Sequence, residues 1–253
     1  CVAIFSAPIF AAEAPFPDRS ITIVVSFPPG SANDLMGRVV AKRLSDTLGK
    51  PAVVENRPGA GGLIGAASVA RAKPDGYTLL LGSTSMVTSQ LARKSPGYDV
   101  AKDFSPVGMV ASAAMGVFVN ASAPANSLAD FIAYAKKNQG RIFYSSSGEG
   151  GIMHVEGERF SMETGIKATH VAYSGGAPAV QALLGNEVQF VLIDVGAALP
   201  QQRAGKLKLL AAGAPQRLAL FPDAPTFQEL GLGFSPNLWY AIFAPTNTPA
   251  NVM

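Results

Sequence analysis

The sequence predicts a two-lobed α/β protein whose sheets are mainly parallel and flanked by helices. Seven strand-like runs, at 21–26, 51–55, 77–82, 141–145, 168–173, 188–193 and 207–212, alternate with helical patterns or long crossovers, the pattern of a parallel sheet. Two further segments, Phe104 to Asn120 and Leu238 to Ala244, read as crossings between lobes. With 253 residues, 48% of them hydrophobic, the chain has material for two medium cores rather than one. The expected partition is lobe 1 from 15–111 plus 240–253 and lobe 2 from 112–239.

Before the first lobe, Val2 to Ala12 is apolar and leads into Ala12-Glu13-Ala14, which fits the small-x-small rule for signal-peptide cleavage. Residues 1–14 are therefore read as the remainder of a signal peptide, with cleavage near Ala14. An N-terminal anchor, or a lipidated Cys1, are the alternatives. Cys1 is the only cysteine, so neither an intramolecular disulfide nor a multi-cysteine metal site is available. No other run approaches the ~18 apolar residues of a membrane span.

The run Ile21 to Val25 is β-branched and reads as a buried strand. After it, Met36, Val40, Leu44 and Leu48, with Leu35 and Val39 beside them, have helical spacing. Ser31 and Asp34 fit a capping box, Gly49 a left-handed C-terminal residue, and Pro51 a stop. The loop Ser26 to Asp34 therefore opens a helix, whose free N–H groups and partial positive charge stabilise an anion without any lysine. A plain capped turn is the alternative reading.

Further along, Pro106 to Val110 and Met115 to Val119 read as two strands broken at Ala111 to Ala114. The chain ends at Pro249 to Met253, where a proline is placed to start a helix; a truncated C-terminus is the expectation.

In open parallel sheets, ligands sit beyond the carboxyl ends of the strands. Six glycine- or serine-rich loops fall there: Phe27 to Ser31, Pro58 to Gly62, Gly82 to Ser85, Ser145 to Gly151, Tyr173 to Ala177, and Asp194 to Ala197. Glycine lets amides approach a ligand and serine adds hydroxyls, so the set describes a cleft for a small polar anion. Asp194 has three open roles: holding a ligand ammonium, orienting a loop, or capping the following helix.

Other chemistries fare worse. There is no GxxxxGK[ST], no G-x-S-x-G and no HExxH, and Ile64 stands where a dinucleotide fingerprint needs its third glycine. His154 and His170 are the only histidines, too few to promise a metal site, and a hydrolase built on Ser147 and His154 is the weaker rival. The net charge of +3 is spread along the chain, without the basic stripe of a nucleic-acid binder. The expectation is a protein with no catalytic residue, no cofactor and no metal.

The ordered motifs resemble those of the Bug-type extracytoplasmic receptors, the substrate-binding proteins of tripartite tricarboxylate transporters, over residues 16–253. The matching segments are Ile23 to Gly30, Val54 to Gly62, Pro74 to Leu79, Lys102 to Phe104, His170 to Pro178 and Ala204 to Leu207. The resemblance implies a type II Venus-flytrap fold in the periplasm, closing as a monomer on a small carboxylate and delivering it to the permease subunits. A sensory partner in place of a permease is the alternative. It also implies ligand contacts from Phe27, Gly30 and Ser31, from Ser83 and Ser85, and from Ser147 and Gly148, with Asp194 at an acidic position that varies ligand preference. Ser31 departs from the usual second glycine, and Gly151 stands where the family often has serine.

Overall fold

The computed structural model describes residues 16–253. The expected signal-peptide remainder, 1–14, lies outside the described residues. In lobe 1, β1 (Ile21–Val25), β2 (Ala52–Asn56) and β3 (Thr78–Ser83) are parallel. Helices α1 (Ala32–Leu48), α2 (Leu63–Ala70) and α3 (Thr84–Leu91) connect or follow them, and the short α4 (Val100–Asp103) leads to β4 (Phe104–Asn120). In lobe 2, α5 (Leu128–Lys137) precedes β5 (Phe143–Ser146), α6 (Ile152–Thr164), β6 (Thr169–Ala172), α7 (Gly176–Leu184), β7 (Phe190–Asp194), α8 (Val195–Arg203) and β8 (Leu207–Ala212). The chain then returns through β9 (Asn237–Pro245).

The strand order is β2-β1-β3-β9-β4 in one lobe and β6-β5-β7-β4-β8 in the other. Because β9 is antiparallel to both β3 and β4, it is the single reversed strand of lobe 1. In lobe 2 that role falls to β4, antiparallel to β7 and β8. The two lobes thus repeat one plan, and in each the reversed strand is the one arriving from the other lobe. The expected mainly parallel sheets are present.

The expected break at Ala111 to Ala114 is absent: β4 runs unbroken for 17 residues. Its first part pairs with β9 as far as Ala114↔Asn237, and from Met115 onward it pairs with β7. Ala111 to Ala114 pair in continuous register with Tyr240 to Asn237, and the register shifts fall earlier, at Pro106/Gly108 and Met109/Ala111, as bulges.

Helix α1 also differs from its expected face. Leu35 is 54% and Val39 62% exposed, while Gly37 and Ala41 are buried. A Cβ on Gly37 would stand 2.7 Å from Val25 Cγ2, so the helix packs close to the sheet through its small residues. Met36, Val40 and Leu44 flank that contact. The Gly49 cap is left-handed, as expected, with φ of 67°.

The lobes touch. A Cβ on Gly61 would stand 2.6 Å from the Glu149 carbonyl oxygen, and one on Gly175 would stand 3.2 Å from the Pro28 ring. The Ile152 amide donates to Ser85 Oγ across the cleft at 3.2 Å.

Candidate functional site

Between the lobes lies a cavity of about 330 Å³, at the small end of ligand sites. The starts of α1, α3, α6, α7 and α8 all border it, and the hinge strand β9 adds Leu238 and Tyr240. Of the sequence-chosen residues, Phe27, Gly30, Ser31, Ser83, Ser85, Ser147 and Asp194 line it. Gly148 does not: its amide donates to Ser146 Oγ at 3.2 Å, and it lies against Gly61 of the other lobe. The Pro58–Gly62 loop likewise serves the lobe contact rather than the cavity wall.

At the α1 start the capping box is rearranged. Asp34 N–H donates to Ser31 Oγ, but the Asp34 carboxylate accepts from the Gly30 amide at 2.9 Å instead of from Ser31. It also accepts from Arg38 Nε and Asn56 Nδ2. Burial alone would raise the Asp34 pKa, yet these donors outweigh it and hold the carboxyl below its usual range. The Gly30 amide, expected at the ligand, is thereby occupied. The Ala32 and Asn33 amides, next along the same turn, have no acceptor among the described residues.

Across the cleft, the Gly176 and Ala177 amides at the start of α7 are in the same condition. Pro28 lies against Gly175, and both pairs of amides belong to residues that line the cavity. Free N–H groups at a helix start can hold a carboxylate without a lysine or arginine.

Asp194 resolves among its three roles as a helix cap. Its Oδ1 accepts from the Gly196 and Ala197 amides at 2.6 and 3.2 Å, and its Oδ2 from the Tyr240 hydroxyl at 3.1 Å. Burial and the neighbouring Asp194 charge push the Tyr240 phenol well up, so the proton stays on the tyrosine.

The remaining walls are mixed: Ile152, Met153, Val180, Ile193, Pro200 and Leu238 are apolar, and Asn33, Gln181 and Gln201 are polar. Sequence reading missed all of these, together with Tyr240. Among the described residues no lysine, arginine or histidine lines the cavity.

The two histidines sit beside the cavity rather than in it. Their rings stack at 3.8 Å with an interplanar angle of 10°. His154 Nδ1 accepts from the Gly150 amide at 3.0 Å, and His170 Nε2 lies 2.6 Å from Ser146 Oγ. Burial, then the second ring, push the His170 pKa down to about 4. The pair braces the loop that meets Gly61, and no hydrogen bond joins Ser147 to His154 among the described residues, so the rival hydrolase geometry is not assembled.

Residues 36–253 match the family described as the tripartite tricarboxylate transporter family receptor. The chain belongs to this family. Protein BugT of Bordetella pertussis is 37% identical over 241 residues, covering 94% of this chain and 74% of BugT. The solved structure of the periplasmic binding protein BugD shares 35% identity at a TM-score of 0.89, over 94% of this chain and 80% of BugD. That of R. palustris Rpa4515 with adipate shares 34% at 0.90, with the same coverage. The Bug-type resemblance and the two-lobed receptor fold are therefore both borne out.

Proposed function

We propose that this receptor captures a small organic carboxylate between its lobes in the periplasm and hands it, unreacted, to the membrane subunits of a tripartite tricarboxylate transporter. The observation that carries the reading is that the Ala32, Asn33, Gly176 and Ala177 amides, at helix starts in opposite lobes and without an acceptor among the described residues, belong to the lining of one cavity. One carboxylate bridging these groups ties ligand binding to lobe closure. The similar Rpa4515 is solved with adipate, and family membership supports the transport role. No group in the cavity is arranged for nucleophilic attack or proton transfer, which favours binding without chemistry.

Thermal unfolding against mono-, di- and tricarboxylates, with amides and sugars as controls, tests the proposal. A ligand at 100 times its dissociation constant adds about 2.7 kcal/mol, a shift of roughly 5–10 °C for a chain of this size. Stabilisation by a carboxylate class supports the reading. Stabilisation only by sugars or amides contradicts it.

A further inference from the structure

We propose that the stacked pair His154 and His170 is a proton-sensitive latch: it shapes the loop through which lobe 2 rests on lobe 1, and acid loosens the lobes by protonating it. The inference concerns how closure is regulated and rests on the two-lobed receptor reading above. Four consecutive loop residues meet the other lobe. Cβ atoms on Gly148, Gly150 and Gly151 would stand 3.0 Å from the Gly61 amide nitrogen, 3.1 Å from Ala92 Cβ and 3.7 Å from Ser85 Oγ, and the Glu149 carbonyl oxygen faces Gly61. Where the loop enters α6, the Ile152 amide donates to Ser85 Oγ at 3.2 Å. The shape of this loop therefore decides how well the lobes fit.

Both histidines hold that shape. The Gly150 amide donates to His154 Nδ1 at 3.0 Å. His170 Nε2 lies 2.6 Å from Ser146 Oγ, and that hydroxyl oxygen accepts from the Gly148 amide at 3.2 Å and stands 3.1 Å from the Gly148 carbonyl oxygen. Because His154 Nδ1 is an acceptor, the neutral ring carries its hydrogen on Nε2. A second proton must enter at Nδ1, where the Gly150 N–H already points, so the bond is lost and the buried amide is left without its acceptor. A proton on His170 instead charges a ring whose neighbour is stacked 3.8 Å away. The groups facing the pair are Glu158 of α6, 4.0 Å from His154 Nε2, Glu149 of the loop, and Tyr144 of β5, whose hydroxyl donates to Glu158 Oε1. The two carboxylates favour a charged ring, but burial and the second histidine outweigh them and hold the His170 pKa at about 4. From lobe 1, Gly61, Ser89 and Ala92 bring no ionisable group to the loop. Protons taken up between about pH 6.5 and 4 therefore favour a rearranged loop over the one that fits lobe 1.

Two readouts on the full chain test the latch. The first needs no ligand: in nitrogen–proton spectra recorded from pH 7.5 to 4.5, the Gly148 and Gly150 amides are expected to shift together with the histidine ring nitrogens. Rings that stay neutral throughout, or that charge while the Gly150 amide stays in place, overturn the inference and leave the carboxylate reading intact. The second is calorimetric titration with malate, adipate and benzoate at pH 7.5 and pH 5.5, on the unaltered chain and on the double variant His154→Asn/His170→Gln. Asn offers an oxygen to the Gly150 amide and Gln a polar atom to Ser146, so the variant keeps the loop bonds but cannot take a charge. It also corrects for protonation of the added acid itself. Between the two pH values, the dissociation constant of each acid that binds is expected to rise at least threefold more for the unaltered chain than for the variant. Equal rises overturn the latch. Absence of binding by all three acids at pH 7.5 counts against the carboxylate reading, and the amide spectra then decide the latch alone.

Discussion

The Tyr240 hydroxyl donates a 3.1 Å hydrogen bond to Asp194 Oδ2, tying hinge strand β9 to the start of helix α8. Both residues are buried and border the cavity. Tyr240→Phe is expected to cost about 1 kcal/mol, with the Asp194 cap retained through Gly196 and Ala197. Urea unfolding of the variant checks this; a loss below the error of the method would mean the bond is not maintained in solution.

Gly61 sits where the lobes meet, with a φ of 67° and the Glu149 carbonyl oxygen 2.6 Å from where a Cβ would stand. Gly61→Ala should prop the lobes apart. Ligand affinity should fall at least tenfold, and X-ray scattering should show no contraction on adding ligand, while the folded core persists.

The His170 pKa, at about 4, lies below the ordinary histidine value near 6.5. The folded state thus binds fewer protons than the unfolded state between those values, and stability falls as the pH drops from about 6.5 toward 4. Asp34, held low by its donors, adds acid sensitivity below about pH 4, where the unfolded carboxyl begins to protonate. His170→Gln should flatten the melting-temperature profile between pH 4 and 6.5 and leave the steeper fall below it.

Glu156 has the opposite sign. Burial raises its pKa, the Arg159 charge only partly countering, and Oε2 has no partner among the described residues. Ionisation above about pH 4.5 therefore costs stability in the folded state. Glu156→Met should stabilise the protein by about 1 kcal/mol at pH 7 and by less at pH 4, as measured by denaturant unfolding at the two values.

What could be read from the sequence followed from local signals. The run Ile21 to Val25 is β-branched, and it and its counterparts are short runs bounded by turn residues, so the strands fell within a few residues of their positions. Ser31, Gly49 and Asp194 were legible as helix ends because a cap is a contact with near neighbours. The continuity of β4 was not, because the small residues Ala111 to Ala114 look like a break until β9 pairs alongside them. Nor were the cavity walls. Val180 and Pro200 lie a helical turn beyond the glycine loops, and Leu238 and Tyr240 alternate on a strand that reads as core. The use of the Gly30 amide by Asp34 depends on a loop conformation that residue types alone do not specify.

The central claim is that one carboxylate is held between the starts of α1 and α7. Amide nitrogen–proton correlation spectra recorded while titrating the protein with the carboxylate that stabilises it most in thermal unfolding test it most directly. The account predicts that the largest shifts fall on Ala32, Asn33, Gly176 and Ala177, cavity-lining amides with no acceptor among the described residues. Saturable binding that leaves these four unmoved and shifts amides outside the cavity would contradict it.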